Sequence, residues 1–256
     1  SAIQKAIDAC YKAGGGTVYL PPGDYLSGAI YMRSNVALHI EAGATLWASV
    51  NKEDYPIVRE LQKTHQFKDI GADSALIIGK DLHDIAIIGR GKINGQGFTK
   101  VPIPSSCVCD GPHICNFSFR PEMIFLFSCR NVIIKDIIFE YASVYTIHPF
   151  RCENINIRGI TILNNKERWH TDGIDIDCSR NVHISDCHIV TGDDCIIMKG
   201  NAEYPCENIT VTNCTMETPD SALKLGTESI GDFRHITFNN CIITAAGTGI
   251  AFYVKD

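Results

Sequence analysis

Apolar residues recur along this chain at two different spacings. In residues 1–13, SAIQKAIDACYKA, Ile3, Ala6, Ile7 and Cys10 fall at helical intervals and the glycines at 14 to 16 stop the run, so a short N-terminal capping helix is predicted. Beyond it, TVYLPPGDYLSGAIYMRSNVALHIEAGATLWAS alternates short β-rich runs with Gly, Pro and Asn, the pattern of strands separated by tight turns. No second helix of comparable quality follows.

The strand pattern then repeats. Asn or a substitute, an apolar residue, any residue, then Ile or a similar residue recurs as NVALHI at 35, NVIIKDIIF at 131, NINIRGITI at 154, NVHISDCHI at 181, NITVTNCTM at 208 and HITFNNCII at 235. From 131 onward the starts are 23, 27, 27 and 27 residues apart, and a weaker copy, DIAIIGRGKI, begins at Asp84. Units of this length without a helix imply an all-β solenoid, a parallel β-helix. A β-sandwich fits less well, because it needs hairpins and gives no regular period. The recurring Asn is expected to form a ladder whose amides bond backbone groups in a buried turn. Residues 1–256 thus read as one domain, with 98–119, rich in Pro, Ser and Cys, as a long loop bordering a groove. The sequence stops at AFYVKD in mid-strand, so further C-terminal coils are expected, since a solenoid needs a cap at each end.

Composition narrows the function. Hydrophobic residues make up 45% of the chain, enough for a large core, and the net charge of −6 argues against a nucleic-acid partner and gives no overall attraction for an acidic polymer. Any anion must be held locally. Of the 12 cysteines, Cys129, Cys152, Cys178, Cys187, Cys206, Cys214 and Cys241 recur inside the repeats and are expected to be stacked free thiols, whereas Cys107, Cys109 and Cys115 are the better disulfide candidates. No apolar run is long enough to span a membrane. Ser1 opens directly into the helical pattern, as after loss of a leader, and the expected location is secreted or periplasmic.

The chemistry concentrates between Trp169 and Gly200. Asp172, Asp193 and Asp194 sit beside glycines at the starts of segments, and Asp172 and Asp193 are 21 residues apart, close to the repeat length. Successive coils rise by about 4.8 Å, so these acids would stack into an acid/base pair. Strict alternation would turn Asp172 and Asp194 inward with Ile174 and Ile196, so Gly173 and Gly192 are expected to bend the chain and face the acids out. For Asp175, Asp177 and Asp186, turn capping is the favoured reading. His183, Cys187 and His188 fall within a strand repeat without ligand geometry, and no metal or organic cofactor is expected.

At these residues the sequence resembles the family 28 glycoside hydrolases, the polygalacturonase family of right-handed β-helix enzymes, which implies that the solenoid is right-handed. The likeness runs through GGGTVYLPPGDYLSGAI, LHIEAGATL, FRPEMIFLFSCRNV, YTIHPFRCENI and the central stretch. The family's Asn-Thr-Asp motif stands here as His170, Thr171 and Asp172, and its Gly-Asp-Asp motif as Gly192, Asp193 and Asp194. The resemblance implies inverting hydrolysis of a glycosidic bond in a pectin-type, galacturonate-containing polysaccharide or oligosaccharide. Asp193 would be the acid, with Asp172 and Asp194 holding and deprotonating the water.

There are departures. The family's Gly-His-Gly is replaced by Asp220, Ser221 and Ala222, and its Arg-Ile-Lys, which binds the substrate carboxylate, aligns with Ala251 and Tyr253, with Lys255 two residues on. Lys199 and Lys224 are 25 residues apart and are expected to point outward on the groove side, Lys224 replacing the lost cations. Trp169 and His170 are expected to line the sugar site, and His148, Ser221, Tyr253 and Lys255 complete the candidate substrate contacts. Two further readings stay open: a polysaccharide lyase or epimerase on the same scaffold, and a glycan-binding solenoid without catalysis.

Overall fold

The computed structural model describes residues 1–61, 72–97, 119–200 and 204–253. The expected groove loop at 98–119 (Phe119 apart), the disulfide candidates Cys107, Cys109 and Cys115, and Lys255 lie outside the described residues.

The helix Ala2–Lys12 forms as expected, capped by Ser1, whose side chain accepts from the Gln4 N–H at 3.3 Å. Ile3 and Ile7 are its buried residues. On its flank, Gln4 donates to the Tyr31 carbonyl at 3.0 Å and accepts from the Tyr31 N–H at 2.7 Å, completing the pairing of a strand edge that would otherwise be open.

From Gly16 onward the chain winds as a right-handed parallel β-helix, each full coil laying one strand on each of three faces. The first face stacks Gly16–Leu20, Val36–Ile40, His83–Gly89, Arg130–Lys135, Glu153–Arg158, Arg180–Ser185, Cys206–Thr212 and Phe233–Asn239. The third face, which positions the site, stacks Ile30–Tyr31, Ala75–Lys80, Glu122–Phe127, Ile147–Phe150, Ile174–Asp177 and Ile196–Gly200. The long strand Thr215–Ser229 then joins the second and third faces, pairing with both His188–Val190 and Ile196–Gly200.

Identical positions on successive coils make the core. Ile124, Ile147, Ile174, Ile196 and Leu223 are register partners in turn, and all are at most 2% exposed. Burying each such side chain stabilises by roughly 1.5–3 kcal/mol relative to leaving it in water. On the outer side of the third face a second cluster forms, where Val58 and Leu61 cover Ile78, Phe125, Phe150 and Cys178. This part of the solenoid is therefore buried on both sides.

The asparagine ladder exists, but not in the expected form. Asn131 donates to Asp84 (2.9 Å), Asn154 to Asn131 (3.1 Å), Asn181 to Asn154 (3.1 Å) and Asn208 to Asn181 (3.0 Å), and His235 Nδ1 lies 3.0 Å from Asn208 Oδ1. These are side chain to side chain bonds at the surface, not amide to backbone bonds in a buried turn. The reason for Asn is conformational: Asp84, Asn131, Asn154, Asn181, Asn208 and His235 all adopt φ between 52 and 57°, the left-handed region that Asn and Asp tolerate best. The repeating cysteines behave as expected. The nine cysteines among the described residues are free, and seven of them are buried.

Candidate active site

The site is built where the chain turns into the third face. Counting two residues back from the inward column Ile124, Ile147, Ile174, Ile196, Leu223 gives a second column: Glu122, Tyr145, Asp172, Asp194 and Ser221. Parallel stacking therefore carries Asp172 and Asp194 to neighbouring coils at one level, and Asp193 joins them from the turn. One carboxylate oxygen from each of the three lies within 4.8 Å of the other two.

Glycines allow this approach by leaving room, not by an unusual φ. A Cβ on Gly173 would collide with the Cys195 carbonyl oxygen, and one on Gly192 with the Arg168 and Asn165 carbonyls. The bends occur, yet Asp172 and Asp194 do not face out freely as expected. Their side chains are only 5% and 2% exposed, and only Asp193 stands half-buried at the opening.

Each acid is held differently. Asp193 accepts the His170 backbone N–H at 2.8 Å and the Asp194 N–H at 3.1 Å, while Thr191 and Thr218 hydroxyls donate to its carbonyl. Asp194 Oδ2 pairs with Lys224 Nζ at 2.7 Å. Asp172 Oδ2 is 4.0 Å from Lys199 Nζ. The remaining oxygens, Asp172 Oδ1 and Asp194 Oδ1, are buried without a hydrogen-bond partner. Orphaned buried acceptors of this kind are expensive unless a polar group visits them.

The electrostatics follow from crowding. Burial, then the charge of Asp193, pushes the Asp194 carboxyl up to about 7 against the pull of Lys224. Burial, then Asp175 and Asp193, raises Asp172 well above the usual carboxylate range. Asp193 is also raised, chiefly by burial, with the His170 N–H resisting. Three carboxyls so placed disfavour one another's ionisation, an arrangement able to keep one acid protonated beside another that is charged. A trio of oxygens this close resembles a cradle for a hard cation. Here Lys224 already supplies the countercharge to Asp194, so the trio is read as a proton-handling group.

Of the other expected contacts, Trp169 is 48% exposed at the rim and is not packed in the core. His170 stands beside it, its Nδ1 3.3 Å from Arg120 Nη1. Tyr253 is exposed, with its ring centroid 5.2 Å from Lys224 Nζ. Four expectations need correction. Lys199 lies on the outer side of the strand as its parity requires, but it is buried rather than solvent-facing, 2.8 Å from Asp175 Oδ1 and 3.9 Å from the Tyr145 ring centroid. Asp175 and Asp177 cap no turn; they are fully buried in the strand Ile174–Asp177, beside Lys199 and 3.6 Å from His148 Nε2 respectively. His148 is fully buried between Glu122 and Asp177 and lines no sugar groove. Ser221 is buried, its hydroxyl donating to Asp220 at 2.9 Å. Asp186 is as expected, an exposed turn residue with φ of 58°.

Sequence reasoning missed Arg120 and Tyr145. Arg120 is among the largest fully buried side chains, and its guanidinium donates to the Trp169 carbonyl and, at 2.6 Å, to the Ser143 carbonyl. It thereby fixes the strap that delivers the His170 N–H to Asp193. The column count two back from each inward isoleucine would have found Tyr145. A shallow depression of about 490 Å³ lies on the first face, lined by Thr17, Ala37, Ala86 and Ile133 among others, away from these acids. It offers no comparable chemistry.

Comparisons with known proteins show what the chain is similar to. The chain is 30% identical to a probable polygalacturonase of Vitis vinifera over all of its own length and 55% of that protein's, and 26% identical to an exopolygalacturonase of Platanus acerifolia over 97% of its length and 61% of that protein's. It thus spans a little over half the length of these curated relatives. Among solved structures, a family 28 exopolygalacturonase from Yersinia enterocolitica superposes with a TM-score of 0.83 at 22% identity, covering 98% of this chain and 52% of that one. A hyperthermoactive exopolygalacturonase from Thermotoga maritima gives 0.78 at 24% identity, covering 94% and 61%. The sequence profile of glycosyl hydrolases family 28 matches residues 10–252, and the chain belongs to that family.

Proposed function

We propose that the protein hydrolyses glycosidic bonds in a pectin-type, galacturonate-containing polysaccharide or oligosaccharide, with inversion at the anomeric carbon. The observation that carries the reading is the pair of orphaned buried oxygens, Asp172 Oδ1 and Asp194 Oδ1, beside a third acid at the opening. A water bound to those two oxygens satisfies both. Asp193, the more exposed acid, gives its proton to the glycosidic oxygen as the bond breaks. The water attacks the anomeric carbon and passes its proton to Asp172 or Asp194. Carboxylates as recessed as these two reach a sugar through a water more readily than by direct attack, which favours inversion over a covalent intermediate.

The nature of the substrate rests on the family and on the relatives' names. A lyase or epimerase needs a basic group free to take a proton, whereas Lys199 and Lys224 are both engaged with carboxylates. Unbroken stacking of the described strands supports treating residues 1–256 as a single β-helix domain. A polymer substrate that cannot cross a membrane favours action outside the cytoplasm, secreted or periplasmic. Among the described residues no helix is long and apolar enough to cross a membrane.

Incubation with polygalacturonate, followed by reducing-end and ultraviolet assays, tests this reading. Hydrolysis releases reducing ends without an absorbing unsaturated product, and NMR of the fresh product shows the inverted anomer. Asp193→Asn should lower kcat by about 10²–10⁴. An unsaturated product, or parent and variant equally inert across pectic substrates, overturns it.

A further inference from the structure

We propose that Lys199 and Asp175 form a buried charge pair that sets the ionisation of Asp172, acting as positioning residues that never touch the sugar. The inference rests on the reading of Asp172 as part of the water-activating pair. Lys199 Nζ is 2.8 Å from Asp175 Oδ1 and 4.0 Å from Asp172 Oδ2, so one ammonium is shared by two carboxylates. Its side chain is 4% exposed, and water does little to screen it. The Tyr145 ring, 3.9 Å away at its centroid, holds the ammonium from the side.

The arrangement follows from register. Asp177 is the strand partner of Lys199 and Asp175 that of Ile197, so the lysine of one coil reaches back across two residues of the coil before it. The other charged or titratable groups facing the pair are Asp177 and Glu228 beside Lys199, and His148, with Glu122 behind it, beside Asp175. Around Asp172 stand Asp193, Asp194, Arg120, Tyr145 and, paired with Asp194, Lys224. Within this set, Asp175 competes with Asp172 for Lys199 and holds the closer position. Deleting the cation therefore leaves Asp172 harder to ionise, and deleting the Asp175 charge leaves it easier.

The consequence is a pair of shifts of opposite sign, which a merely structural role does not produce. Parent, Lys199→Met and Asp175→Asn are compared by the pH dependence of kcat/KM on polygalacturonate. The carboxyl resonances of aspartate-labelled protein are titrated in parallel, with Asp172→Asn identifying the Asp172 signal. Lys199→Met should move the acid limb and the Asp172 midpoint upward by about one pH unit or more, and Asp175→Asn should move both downward by a similar amount. Midpoints that stay in place, or move in the same direction in both variants, overturn the inference. Should Lys199→Met fail to fold, the downward shift in Asp175→Asn decides alone. A parent that does not hydrolyse sinks the proposed function instead, and the carboxyl titration still decides the inference.

Discussion

Lys224 shows how one contact changes the meaning of a residue. By spacing it should replace the missing cations and grip an acidic sugar, but its ammonium is 2.7 Å from Asp194 Oδ2 and its side chain only 13% exposed. Its charge is committed to the Asp194 carboxylate rather than to solution. Lys224→Met should raise the Asp194 midpoint above about 7, and because the base must be ionised, the acid limb of kcat/KM moves to higher pH. The loss should fall mainly on kcat, by about tenfold or more at the parental optimum, as expected when an opposite charge that shifts a pKa by a unit or more is removed. A lysine that only gripped substrate would instead raise KM with the pH profile unmoved. Steady-state kinetics across pH separates the two. The three acids were legible in the sequence because glycine-flanked aspartates close to one repeat apart are expected to stack, and because they stand in the motifs of the family the chain resembles. The burial of Lys199, His148 and Asp175 was not, since alternation tells inside from outside of a strand but not whether the outer side is covered. Asp175 and Asp177 were misread for the same reason.

At the level of elements, the site depends on how closely one turn lies on the next. Gly173 and Gly192 are required because neighbouring carbonyls occupy the space a Cβ would take. Gly173→Ala pushes against the Cys195 carbonyl and approaches Ile189 Cγ2 to 2.9 Å, which displaces the turn carrying Asp172 away from that carrying Asp194. Overpacking of this kind costs about 1–3 kcal/mol, read as a lower urea midpoint, and widening the trio should lower kcat by far more than this loss of stability accounts for. Unchanged kcat in a folded Gly173→Ala protein would show that the acids tolerate a looser spacing than the geometry implies. The repeating strands and the capping helix were readable because period and turn residues coincide. The asparagine ladder was predicted with the wrong partners, because the sequence shows that Asn recurs but not that the left-handed φ, rather than a buried amide bond, selects it.

The whole molecule carries the cost of its site as a dependence of stability on pH. Asp172, Asp193 and Asp194 are raised in the folded protein, Asp194 to about 7, and His148, between Glu122 and Asp177, is raised to about 10. A carboxyl with a raised pKa and a histidine with a raised pKa act in the same direction. In both cases the folded state binds more protons than the unfolded one, so stability falls as pH rises through the interval between the two pKa values. For Asp194 that interval runs from about 4 to about 7, and for His148 from about 6.5 to about 10. Asp194 alone accounts for a loss of up to about 4 kcal/mol by the top of its interval, an upper bound because its neighbours titrate with it. The acids lowered by local hydrogen bonds, the exposed Asp84 and Asp186 and the half-buried Glu41, act the other way but are screened by water. The protein should therefore be more stable in urea at pH 5 than at pH 8. Asp172→Asn/Asp194→Asn, which removes two of the crowded charges, should be the more stable protein at pH 8 and show a flatter slope between pH 4 and 7, while losing activity. That outcome would mean the trio is maintained against the stability of the fold, as expected of groups kept for chemistry. A double variant no more stable than the parent at pH 8 would instead show that the three carboxyls are already relieved in the folded state, and with that the crowding invoked for keeping one acid protonated would have no energetic basis.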